Sequence, residues 1–163
     1  MGDELTHFDR AGAARMVAVT DKPETSRRAT AMARVHMSEA TLARVLAQGS
    51  EGIAKGDVLQ VARLAAIGAV KTTAQAIPLC HPVRIVAVDV ELGPLADGTG
   101  IELRVTVQAI DRTGCEMEAM HAAAIGALTI YDMCKAIDRG MTIDAVMLLE
   151  KSGGRSGDYV RGG

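Results

Sequence analysis

The sequence has no tryptophan, one phenylalanine and two tyrosines. So few rings argue against a surface that binds nucleic acid by stacking unpaired bases. The core must instead be filled by Ala, Val, Leu, Ile and nine Met. Cysteine is scarce as well. Three residues without paired spacing argue against a disulfide framework and for a reducing compartment. No CxxC or HxxxH spacing surrounds His81, so a zinc site has little support. No apolar run reaches the roughly 20 residues that cross a bilayer. The N-terminal stretch MGDELTHFDRAGAARM is too polar for a signal peptide. A net charge of −2 gives no field that would gather nucleic acid or a membrane surface. The expectation is a cytoplasmic protein without metal, cofactor, nucleic-acid or membrane partner.

What is present fits one globular domain. A chain of 163 residues with 48% hydrophobic composition can bury a real core. Residues 1–15 read as a polar arm, 16–150 as a single α+β domain and 151–163 as a glycine-rich basic tail. Met16–Val19 is expected to be a short edge strand, and Ala29–Met37 alternates as a strand does. Ser38 is placed to cap a helix running to Gln48, and Asp57 to cap a long one that must end before Pro78. Val83–Leu92 and Ile101–Ile110 are the clearest strands, joined by the turn-rich GPLADGTG. Met141–Glu150 is the last. Antiparallel hairpins interleaved with three helices suggest one sheet with helices on one face.

The chain is organised around CEMEAMHAAAIGALTIYDMCK, residues 115–135, an apolar stretch of helical length bounded by charges. Asp132 and Lys135 fall one turn apart on one face, as a proton-transfer pair would. They read equally as a surface ion pair, although the apolar surroundings suggest a partly buried site. Glu118 lies near the same stripe, yet fourteen residues at about 1.5 Å each separate it from Asp132 by roughly 21 Å. One small substrate can hardly touch both within a single helix, so a site using both ends is either shared between subunits or belongs to a helix that starts later. Cys80 and His81 sit in PLCHP, either a proline-braced turn or a binding segment. Lys55, between glycines before a helix N-terminus, is a solvated lysine or an anion contact. Lys151 and Arg155 in KSGGRSGD suit either a flexible tail or a phosphate.

The order MV-VT-KPET, KGDVL, IPLCHP, EMEAM, LTIYDMCKA and LLEKSGGRSGD closely resembles the cyclic pyranopterin monophosphate synthases, the MoaC family. The resemblance runs from about Leu5 to Asp158. It implies a ferredoxin-like α+β fold and a homohexamer, a trimer of dimers with active sites between subunits. It also implies the conversion of (8S)-3′,8-cyclo-7,8-dihydroguanosine 5′-triphosphate to cyclic pyranopterin monophosphate, with release of pyrophosphate. Asp132, Lys135 and Lys55 match catalytic positions. Leu79, Cys80, His81, Met117, Glu118 and Lys151 match substrate-pocket positions, to which Glu116 and Arg155 are added as candidates. Three departures stand out: Ala18 replaces an acid, His121 a hydroxyl residue, and Thr72 an arginine. A nucleotide-sensing module and a purely structural oligomer are the rival readings.

Overall fold

The computed structural model describes Phe8 and residues 11–47, 53–155 and 157–162. Most of the expected N-terminal arm, and the Gln48–Gly49 helix end, lie outside them. The elements run β1 (Thr25–His36), α1 (Glu39–Leu46), α2 (Val58–Val70), α3 (Thr73–Ala76), β2 (Ile85–Pro94), β3 (Gly100–Asp111), α4 (Glu116–Cys134), β4 (Thr142–Ser152) and β5 (Tyr159–Val160). The strands form one antiparallel sheet in the order β2-β3-β1-β4-β5. Four strands in that order, with helices in the two crossovers, make a ferredoxin-like α+β domain.

Period-two patterning sets the sheet. Along β1, Ala29, Ala31, Ala33 and Val35 are fully buried, and so, on β3, are Ile101, Leu103, Val105 and Val107. One face is thereby apolar and must be covered. Helix α4 covers it, with Ala119, Ala122, Ala123, Ala127 and Ile130 fully buried. Gly126 lets α4 approach closely, since a Cβ there would run into the Leu103 side chain. Helix α2 packs alongside α4 through Ala62 and Ala66, both fully buried. Small residues on both helices permit that close contact without aromatic filler.

Local chemistry fixes the ends. Ser38 accepts from the Thr41 amide to start α1, and Asp57 from the Leu59 and Gln60 amides to start α2. Three expectations are corrected. Met16–Val19 has no regular secondary structure. The long helix after Asp57 stops at Val70 and resumes as the single turn α3, so there are four helices among the described residues. The Thr72 and Thr73 hydroxyls turn back onto the Ala69 carbonyl at 3.2 and 3.1 Å, competing with continuation. Past Glu150, β4 runs on to Ser152, and Tyr159–Val160 pair with it.

Candidate active site

The three residues expected to be catalytic come together at the C-terminal end of α4. Lys135 donates from Nζ to Asp132 Oδ1 at 2.6 Å. Lys55 donates to the Asp132 backbone carbonyl at 2.8 Å and lies 3.6 Å from Oδ2. That carbonyl belongs to the last helical turn, which lacks internal donors and carries the negative end of the helix dipole, so an ammonium suits it. A turn places Lys55 there: the Gly56 amide bonds back to the Ile53 carbonyl, and Gly56 adopts φ +106°. The Lys135 hydrogen bond and the two ammonium charges hold the Asp132 carboxyl below its ordinary range. It is therefore ionised at neutral pH, with no proton to supply, and its part is to hold the two ammonium groups in place.

The expected partial burial of this cluster is not found in the single chain. The Asp132, Lys135 and Lys55 side chains are 60%, 53% and 45% exposed. The final turn of α4 sends Ile130, Met133 and Cys134 inward and leaves Asp132 on the outer side.

The enclosed acid is at the other end of α4. Glu118 is 2% exposed. Its Oε1 accepts from the Cys80 thiol at 3.8 Å, while Oε2 is buried with no hydrogen-bond partner among the described residues. Burial pushes the Glu118 carboxyl up. Burial and the facing Glu118 charge push the Cys80 thiol up to about 11. At neutral pH Cys80 is consequently a thiol and no ready nucleophile. The segment holding it is braced by Pro78 and Pro82, and the Cys80 amide bonds to the Ile77 carbonyl at 3.0 Å. Leu79 and His81 flank it half-buried, and Met117 beside Glu118 is exposed.

Next to Glu116 opens a cleft of about 600 Å³ whose walls include Lys22, Arg27, Arg28, Arg112, Gly153, Gly154 and Arg155. Among the described residues five cations face one carboxylate there. Arg27 is 8% exposed and, among the described residues, donates only to carbonyls, those of Asp111 and Arg112, both at 3.2 Å. A buried guanidinium without a carboxylate partner makes the cleft receptive to an anion. Gly153 and Gly154, at φ +89° and +84°, wrap the arginine, and a Cβ on Gly154 would fall on its guanidinium. Lys151 lies beyond Arg28, in a smaller hollow of about 230 Å³ with Asp158 and Tyr159.

Arg155 and Glu116 thus share the cleft, while Lys22, Arg27, Arg28 and Arg112 were not anticipated. The Arg27–Arg28 doublet opening a strand was the available signal. Strand register brings it beside Asp111 and Arg112, more than 80 residues away. Among the described residues no cluster of three His, Cys, Asp or Glu could hold a metal ion, and no helix is long and apolar enough to cross a membrane.

The profile of the MoaC family matches residues 16–154, which hold both ends of α4 and almost all of the cleft. The chain belongs to the MoaC family. Several curated relatives resemble this MoaC-family chain along nearly all its length. The cyclic pyranopterin monophosphate synthase of Thermomicrobium roseum is 52% identical over 158 residues, covering 97% of this chain and 93% of the relative. That of Parvibaculum lavamentivorans is 52% identical over 156 residues, 96% of each. That of Chloroflexus aggregans is 50% identical over 159 residues, covering 98% and 94%.

Proposed function

We infer that this MoaC-family chain is a lyase of molybdenum-cofactor biosynthesis that forms cyclic pyranopterin monophosphate, the activity its relatives are named for. The substrate is a cyclised guanosine triphosphate, and pyrophosphate leaves. The observation that carries the reading is the pairing, on one helix, of a lysine–aspartate–lysine cluster with a buried carboxylate beside a cationic cleft.

Each part has a task. A purine or pterin edge offers N–H donors, and Glu118, with its unpartnered Oε2, is the group to receive them. The cleft supplies Arg27, Arg28, Arg112 and Arg155 for the phosphates, whose hydration several donors must replace. Lys151 stands beside them, and Leu79, Cys80, His81 and Met117 form the wall around the base. Lys135 and Lys55, held by Asp132, exchange protons with the rearranging ring.

Both ends of α4 serve one reaction only if subunits share the site. The continuous helix keeps Glu118 and Asp132 roughly 21 Å apart at about 1.5 Å per residue. Val61, Leu64 and Leu128 expose apolar surface on the outer side of the helix layer, which suits contact with another copy. A homohexamer follows, with the Asp132 end of one subunit closing over the Glu118 end of its neighbour.

The test is incubation with the cyclised nucleotide, following pyrophosphate and the cyclic product. Release of both supports the reading. Binding without release makes the protein a nucleotide sensor, and no binding leaves a structural role. Mixing Glu118→Gln with Asp132→Asn protein tests the shared site: mixed subunits regain turnover, whereas sites within one subunit give no recovery.

A further inference from the structure

Helix α4 carries a third polar side chain that the chemistry above does not use. His121 lies one turn beyond Glu118 and is half-buried. Its Nδ1 is 3.1 Å from the Ala69 carbonyl and 3.2 Å from Thr73 Oγ1. The hydroxyl proton of Thr73, a residue 1% exposed, is directed to the Ala69 or Val70 carbonyl at 3.1 or 3.3 Å. The Ala69 carbonyl can only accept, so a hydrogen bond between it and the ring needs the proton on the nitrogen. Nδ1 is therefore the donor. Ala69 and Thr73 bracket the break between α2 and α3, where the connector to Pro78–Pro82 begins.

That connector holds itself weakly. Helix α3 is four residues long, too short to be stable alone. Among the described residues, the side-chain hydrogen bonds that reach the region from α4 are the His121 bond at its root and the Cys80–Glu118 bond near its tip. The latter is a thiol bond at 3.8 Å, intrinsically weak. We propose that His121 is a positioning residue, a latch that fixes α3 and, through it, the Leu79–His81 wall against Glu118. The assignment rests on the proposed function for what the wall binds, but not for the latch itself.

The experiment compares the full-length protein with His121→Met, which fills the space without a donor, and His121→Asn, whose amide N–H lies near the place of Nδ1. Cys80 is the reporter in the ligand-free protein, because Cys115 and Cys134 are buried. Alkylation of Cys80 by iodoacetamide, followed by peptide mass spectrometry, is expected to run roughly tenfold faster in His121→Met, equivalent to one hydrogen bond of about 1.4 kcal/mol. His121→Asn restores the parent rate. With the cyclised nucleotide, His121→Met raises KM by about tenfold and leaves kcat within a few-fold, and His121→Asn again restores it. If His121→Met does not fold, His121→Gln against His121→Asn gives the same comparison of donor placement. Parent-like labelling in a folded His121→Met, or no rescue by a folded His121→Asn, overturns the latch. A parent that labels as expected but releases no pyrophosphate overturns the proposed function and leaves the latch standing.

Discussion

Lys55 Nζ reaches the backbone carbonyl of Asp132, 77 residues away in sequence, at 2.8 Å, and so ties the loop before α2 to the exposed end of α4. The contact sits in solvent, where ion pairs contribute little to stability. Its value must lie in placing charge. Lys55→Ala and Lys135→Ala are each expected to lower kcat about 10² to 10⁴-fold while the urea midpoint barely moves. Single-turnover rates beside equilibrium denaturation check this. Turnover within a few-fold of the parent would remove the lysines from proton transfer.

Glu118 gives the opposite pattern, because its carboxyl is enclosed. Its folded-state pKa is raised above the ordinary 4.5 by burial, so the folded protein binds its proton more tightly than the unfolded chain. The sign follows. Stability from this group is fully present below about 4.5 and is lost as pH rises through the raised value. Urea midpoints at a series of pH values should fall over that window in the parent and stay flatter in Glu118→Gln. The variant should also lose affinity for the nucleotide more than it loses stability.

The cationic cleft predicts salt-sensitive anion binding. Pyrophosphate should inhibit, and more strongly at low ionic strength. Gly154→Ala forces an unfavourable φ and pushes the Arg27 guanidinium aside, so inhibition is expected to weaken roughly tenfold, about one charge-assisted hydrogen bond. Inhibition that ignores both salt and this substitution would separate the cleft from phosphate.

A purely structural prediction comes from β4. Among the described residues Ala145, at φ +52°, is the non-glycine residue with positive φ, and it sits where the pairing with β1 shifts register. A left-handed alanine costs about 1–2 kcal/mol, partly offset by the entropy of the glycine that would relieve it. Ala145→Gly is thus expected to raise unfolding free energy by about 0.5–1 kcal/mol, read by urea titration.

Much of this architecture was legible in the residues. The alternation of β3 and the caps Ser38 and Asp57 depend on neighbours within a few positions, and local rules reach that far. The break after Val70 has no proline or glycine to mark it; two threonine hydroxyls turn back onto the Ala69 carbonyl there. The exposure of Asp132 is hidden in the sequence for a different reason. Helical periodicity fixes which side a residue takes but not where the sheet beneath runs out. Strand pairing, not spacing, assembles the Arg27 cluster, whereas Asp132 and Lys135 are neighbours on one turn of the sequence itself.

The segment after Glu150, which composition makes look like a dispensable appendage, is woven into the sheet and then folds over Arg27. Trimming it would strip a wall from the anion cleft while leaving the interior behind α4 untouched. A clipped preparation could therefore pass every check of folding and still be inert, so intact mass has to be verified before any loss of turnover is blamed on a point substitution.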